Sequence, residues 1–327
     1  MPSLDAYERF VAADRPGLYE SHYLKANSPD GRQGLWIKHN LLDPRMGPAM
    51  VELWLIWQAR QEPPRVFKRE IPLSHCALSD GRLAMHGPEF DFDGEHSQGC
   101  IGAARWDVRL SGGLAPLFHL PRQAMYRAPF PKKKLLTPRP NARFDGRLDL
   151  DGQVVDIDGW IGLRGHNWGS EHAHAYAYGN CNLWSDGARD RTVDGFTAKV
   201  RLGPILSPWL SSLVFRDGER EVAVNRVRHW LNRQAAVAAG RWYLPAGDLR
   251  LTMEINPDHY VGLRYRHPDG RESYCYNTKF ARVYLRDGES LYESECGELE
   301  VLYPEPIAGV RLHPSPDWDP RGGVYAG

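Results

Sequence analysis

From His172 the sequence alternates with a period of two: His172, His174, Tyr176, Tyr178, Asn180 and Asn182 fall at one parity, and Ala173, Ala175, Ala177, Gly179, Cys181 and Leu183 at the other. A strand sends successive side chains to opposite faces, so this segment carries one face of rings and hydrogen-bonding groups and one of very small groups. The small face lets another layer come close. The polar-aromatic face needs enclosed partners, which places it on the inside of a barrel or cleft. Just upstream, Gly165, His166, Asn167, Trp168 and Gly169 have the composition of a tight turn, two glycines framing an imidazole, an amide and an indole. A structural turn with Trp168 as a plug and a functional turn are both compatible with that pattern.

The rest of the chain is written in the same grammar. Strand-like runs at 19–27, 35–41 and 50–58 are followed by shorter ones, and the pairs Asp151-Gly152, Asp217-Gly218 and Asp287-Gly288 mark hairpin turns between alternating segments. Eleven Trp, 15 Tyr and 10 Phe favour strands, and 32 Gly with 25 Pro supply frequent turns, so the expectation is an all-β sandwich or barrel with little helix. Residues 4–13 are expected to form a short amphipathic helix covering a barrel end. The run 50–58 is apolar at both parities, and Glu52 within it is expected to be a hydrogen-bonded or functional acid beside Trp54.

Residues 114–143 differ in kind. Pro116, Pro121, Pro129, Pro131, Pro138 and Pro140 stand among large apolar side chains, with Lys132, Lys133 and Lys134 in their midst. That proline density argues against a regular helix or central strand and for a long connection or lid. The lysines read as a solvated rim, with a portal making transient membrane contact as the alternative.

Charge and motifs exclude several classes. Lys plus Arg equals Asp plus Glu at 41 each, which leaves no electrostatic footprint for nucleic acid. Five scattered cysteines without CxxC spacing argue against a disulfide framework or zinc knuckle and fit a reducing compartment. The first residues lack the apolar core of a signal peptide and no run reaches the ~18 apolar residues of a membrane span; a cytoplasmic protein is expected. Phosphate-loop, Rossmann and GxSxG patterns are absent from the sequence, and no cofactor is expected.

The order of Glu20-Ser21-His22-Tyr23, the basic proline-rich connector ending in Arg143-Phe144-Asp145-Gly146, Gly165-His166-Asn167-Trp168-Gly169, and Tyr276-Asn277-Thr278-Lys279 resembles the hydroxyneurosporene synthase family of carotenoid 1,2-hydratases. AttH-like proteins belong to the wider group, and tocopherol cyclase and certain fungal Diels-Alderases are similar at a distance. The resemblance implies two lipocalin-like antiparallel β-barrel or sandwich domains, expected at 1–190 (with the HNWG run) and 191–327. It also implies cofactor-free chemistry on hydrophobic polyenes. Hydratases of the family carry Asp directly before the HNWG run, where this chain has Gly165, so an acid is expected from Glu171, His172 or Glu52.

The expected function is therefore that of a non-redox hydratase, isomerase or cyclase acting by acid-base chemistry on a terpenoid or polyene-like substrate; a non-catalytic lipid or terpenoid carrier is the alternative. Glu171, His172 and His166 are the candidate catalytic residues. Trp168, His174, Tyr176, Tyr178, Asn180, Glu52 and Trp54 are the candidate substrate contacts. A metal bound by His172 and His174 with His166 or Glu171 would need a third ligand that the spacing does not establish, and no metal is expected.

Overall fold

The computed structural model describes Phe10 and residues 17–255, 259–313 and 324–325. The helix expected at 4–13 lies outside these residues except for Phe10, which is buried. Leu18–Asn27, Gln33–Asp43, Met50–Ala59 and Glu62–Pro72 form an antiparallel meander. A long hairpin, Lys133–Leu150 and Gln153–Gly169, turns at Asp151 and Gly152, both at positive φ, as the Asp-Gly pair requires. Gln153–Gly169 pairs with Leu18–Asn27 on its other side, and the result is a curled sheet of 13 strands.

The chain crosses at 170–174 into a second curled sheet of 11 strands. There Ala175–Cys181 lies between Arg191–Lys199 and Ser290–Tyr303. The molecule is thus all-β and lipocalin-like, two curled antiparallel sheets with little helix. By sheet membership the change of layer falls inside the segment assigned from sequence to the N-terminal domain.

Of four apolar cores among the described residues, three follow from strand periodicity, and the fourth gathers Trp168 with Leu120, Tyr126 and Leu136. In Ala104–Ser111 every second residue is buried, so Ala104, Trp106, Val108 and Leu110 fill the first sheet's curl while the residues between them face solvent. The second sheet's curl holds Ala177, Cys181, Trp242, Met253 and their neighbours. The third core lies between the sheets and takes Tyr23, Trp36, Trp54 and Leu135 from one and Tyr176, Tyr178, Ala198 and Tyr265 from the other. This explains why Met50–Ala59 is apolar at both parities: Val51, Leu53, Leu55 and Trp57 enter the first core, Trp54 and Ile56 the third. Each such side chain contributes about 1.5–3 kcal/mol of burial.

Two expectations are corrected. Gly165-His166-Asn167-Trp168-Gly169 is no turn but the last five residues of a strand, held in register by Leu18–Asn27 on one side. Part of the proline-rich connector is a central strand: Lys133–Leu150 pairs on both sides although it contains Pro138 and Pro140. Its register shifts between Leu136 and Arg139 and again between Arg139 and Ala142, so the prolines sit at irregularities where a ladder hydrogen bond is not required. The earlier part of the connector does lie across the molecule, with a short helix at Ala124–Arg127.

Candidate active site

Strand parity decides which side chains meet between the sheets. On Leu18–Asn27 the odd positions, Tyr23 and Lys25, face the second sheet, while Glu20, His22 and Leu24 face the first core. On Gln153–Gly169, Asn167 faces the intersheet space and His166 and Trp168 face away from it. On Ala175–Cys181, Tyr176 and Tyr178 enter the third core and Ala177 and Cys181 the second. The small face is needed there, since a β-carbon on Gly179 would collide with Met253 and Trp242.

Between the sheets is a pocket with about 1040 Å³ of empty space, its open mouth included. Aromatic and aliphatic walls come from Tyr23, Trp36, Leu135, Tyr176, Tyr178 and Phe196, and Leu120, Phe130 and Pro131 of the connector complete the rim. The charged groups that reach it are Lys38, Lys133 and Glu300. A mostly apolar hollow with a few convergent polar groups is the ordinary form of a small-molecule site.

Behind the phenols stand buried carboxyl groups. The Tyr178 hydroxyl donates to Asp194 Oδ2 at 3.2 Å, and Thr137 Oγ1 donates to the same oxygen at 2.7 Å. His119 Nε2 lies 3.2 Å from Asp194 Oδ1. Tyr23 is within hydrogen-bond reach of Tyr178 and Asn167. The Tyr176 hydroxyl donates to Glu300, which also accepts from Asn277 Nδ2 at 3.3 Å and lies 3.7 Å from Lys25 Nζ. Burial pushes the phenols of Tyr23, Tyr176 and Tyr178 well above their ordinary range, so they remain protonated donors. Burial also acts to raise Glu300, but Lys25, the Tyr176 hydroxyl, Lys38 and Lys133 together outweigh it and hold the carboxyl at about 2.

Gly165 has a steric reason. It stands opposite Tyr23 in the strand register, and a β-carbon there would overlap the Tyr23 ring. The phenol of Tyr23 therefore occupies the space that a side chain at 165 would fill.

The sequence candidates divide accordingly. His172, Tyr176 and Tyr178 line the pocket. His172 stacks on Tyr19 with ring centroids 3.9 Å apart, and burial drives its pKa well below the usual range. Glu171 is a correction: it pairs with Lys132 Nζ at 2.6 Å and Arg271 Nη2 at 3.0 Å outside the lining. Burial favours its neutral form, but these cations keep its pKa below the ordinary value.

His166 and Trp168 are corrected too, being on the opposite face of their strand. His166 Nε2 lies 2.8 Å from Glu20 Oε1, His22 Nε2 lies 3.3 Å from the same oxygen, and the two imidazoles stack at 3.9 Å. These three are the group among the described residues that could hold a metal ion; His172 and His174 do not converge with His166 or Glu171. His174 is half-buried outside the lining, and Asn180 is buried beside Asn182, whose amide donates to it at 3.2 Å. Glu52 is ion-paired with Lys68 at 2.8 Å and accepts from Asn40 at 2.7 Å; Lys68 and Arg266 outweigh its burial and hold it at about 2. Trp54 packs edge-on against Tyr265, also behind the pocket wall.

Sequence reading missed Tyr23, Lys38, Lys133, Asp194 and Glu300. Lys133 was read as solvated rim, yet it lines the pocket with its Nζ 4.0 Å from the centre of the Tyr176 ring.

The architecture recurs in solved structures. A putative AttH from Nitrosomonas europaea matches with a TM-score of 0.62 at 11% identity, covering 95% of this chain and 97% of that one. CghA matches with a TM-score of 0.57 at 12% identity over 88% of both chains, and has also been solved with Sch210972. Kievitone hydratase from Nectria haematococca matches with a TM-score of 0.55 at 9% identity over 93% of both. At these identities the likeness is one of fold, and the fold is the one implied by the AttH-like resemblance of the sequence. No family model and no curated protein matches the chain.

Proposed function

We propose that the protein is a cofactor-free, non-redox enzyme of the hydratase, isomerase or cyclase type, acting on a hydrophobic substrate held between the two sheets. The observation that carries this reading is the coupling of pocket phenols to buried carboxyl groups, Tyr178 to Asp194 and Tyr176 to Glu300, in an otherwise apolar hollow. A pocket for binding alone needs shape and apolar area. Hydrogen-bonded chains that lead from the cavity wall to a buried acid suit proton movement or stabilisation of developing charge. Kievitone hydratase, on the same fold, supports the hydratase class.

The same groups narrow the chemistry. Protonating an isolated double bond calls for a neutral carboxylic acid, and Glu300, Glu171 and Glu52 are all held in the ionised form. Protonated phenols suit a substrate whose double bond is activated by a carbonyl: Tyr23 donates to the oxygen as charge builds on it, Tyr178 is held beside it by its bond to Asp194, and the rings stabilise the extended π-system. Glu171, Glu52, His166 and Trp168 have no direct part in this reading. His172, Tyr176 and Tyr178 retain theirs. The five free cysteines fit a reducing, cytoplasmic setting.

The test is incubation of the purified protein, without added cofactor, with a panel of conjugated enones and polyenes. Hydration appears as a gain of one water in mass, and isomerisation or cyclisation as a new product of unchanged mass. Tyr178→Phe and Asp194→Asn are expected to lower turnover about 10²-fold or more while substrate affinity stays within about threefold. A carrier would show no turnover in the parent protein, and these substitutions would then alter affinity alone.

A further inference from the structure

We propose that the intersheet pocket selects amphiphilic acids: a hydrophobic body carrying a carboxylate or enolate head, seated between Lys38 and Lys133. This rests on the pocket described above and names the substrate class it takes. Three of the most deeply buried lysines each have an anionic partner. Lys25, 1% exposed, lies 3.6 Å from Glu298 and 3.7 Å from Glu300; Lys68, 3% exposed, lies 2.8 Å from Glu52 and 2.7 Å from Glu70; and Lys279, fully buried, lies 3.5 Å from Glu298. An unpaired ammonium taken out of water is costly, and at these three lysines the fold meets that cost with carboxylates.

Lys38 and Lys133, which line the pocket, differ from these three. Lys38 is only 6% exposed, and Glu300 and Glu52 act on its charge from beyond ion-pair distance. Its Nζ instead lies 4.2 Å from the centre of the Tyr265 ring and 5.7 Å from that of Trp36. Lys133 likewise stands over an aromatic face, Tyr176, with Glu300 acting on it from beyond ion-pair distance. Glu300, the carboxylate that reaches the same wall, is already engaged by Tyr176, Asn277 and Lys25. Lys38, Lys133 and Lys25 thus share the single carboxylate of Glu300 at the wall of a low-dielectric hollow, which leaves the site short of negative charge. A ligand with an oxyanion head supplies it, and its hydrocarbon body fits the walls of Leu120, Leu135, Phe196 and Ala198. His172, with its buried Nδ1 unpartnered, stands at the same wall.

Chain-matched pairs test this: retinoic acid against retinol, and dodecanoic acid against dodecanol, titrated at pH 7 by quenching of tryptophan fluorescence, since Trp36 and Trp230 line the pocket. Each acid is expected to bind about tenfold or more tightly than its alcohol. Lys38→Met and Lys133→Met are each expected to remove most of that preference while leaving alcohol affinity within about twofold, and Lys38→Arg to retain it. Circular dichroism and Tm confirm that each variant is folded, and the two lysines serve as independent checks should one variant fail to fold. Equal affinity for acid and alcohol, or a preference that survives both methionine variants, would overturn the selection for acids and leave the hydrophobic pocket standing. Failure of all four probes to bind would overturn the pocket reading itself.

Discussion

Gly165 sets the shape of the pocket wall, because the Tyr23 ring lies where any side chain at 165 would go. Gly165→Ala is expected to force that ring aside at a cost of about 1–3 kcal/mol, read as a fall in Tm. The same substitution should weaken dodecanoic acid binding, whereas Tyr23→Ala with Gly165→Ala should recover part of the lost stability. A double-mutant cycle without coupling would contradict the overlap. At this scale the sequence was partly legible. His172, Tyr176 and Tyr178 were readable because one short segment shows its parity directly. Tyr23, Asp194 and the pocket lysines were not, because each belongs to a different strand and its facing depends on a register that no local pattern states. Glu171 misled for the complementary reason: its neighbours in sequence line the site, but Lys132 and Arg271 draw its carboxylate to the rim.

Among the elements, the proline-rich connector combines two roles that its composition does not separate. Residues 133–150 are a central strand whose prolines fall at register shifts. The preceding stretch leans on the pocket mouth through Leu120, Phe130 and Pro131. Phe130 is 48% exposed, so its ring adds little to the fold. Phe130→Ala is expected to change stability by no more than about 0.5 kcal/mol while weakening binding of dodecanoic acid severalfold. Unchanged affinity would remove this segment from the site. The alternation from His172 was the most legible element signal, since Ala175–Cys181 is buried on both faces and each face demands a different size of side chain. The HNWG run was misread as a turn because glycine serves close packing as well as tight bends; Gly165 is there for Tyr23, not for a change of direction.

For the molecule as a whole, all-β architecture was legible because hairpin turns and period-two strands recur along the chain, but the existence of a third core between the sheets was not. Strands apolar at both parities, such as Met50–Ala59, are covered on both sides, by the first core and by this one. The buried polar groups of these layers make stability depend on pH. Burial lowers His22 and His39 to about 3 and His267 to about 4. The unfolded chain therefore binds protons below about pH 6.5 that the folded chain refuses, so stability falls as pH drops from about 6.5 towards 3, with each histidine adding up to about 1.4 kcal/mol per pH unit. Glu52 and Glu300, held at about 2, extend the loss below about 4.5. Urea unfolding midpoints at pH 7, 5.5 and 4.5 should decline steadily, and His39→Gln should flatten the upper part of the slope.

The most direct measurement is a crystal structure of the protein with retinoic acid bound. The account predicts the hydrocarbon between Tyr23, Tyr178 and Phe196 and the carboxylate within hydrogen-bond reach of Lys38 or Lys133. A ligand inside the curl of either sheet, beside Glu20, His22 and His166 for example, would contradict it.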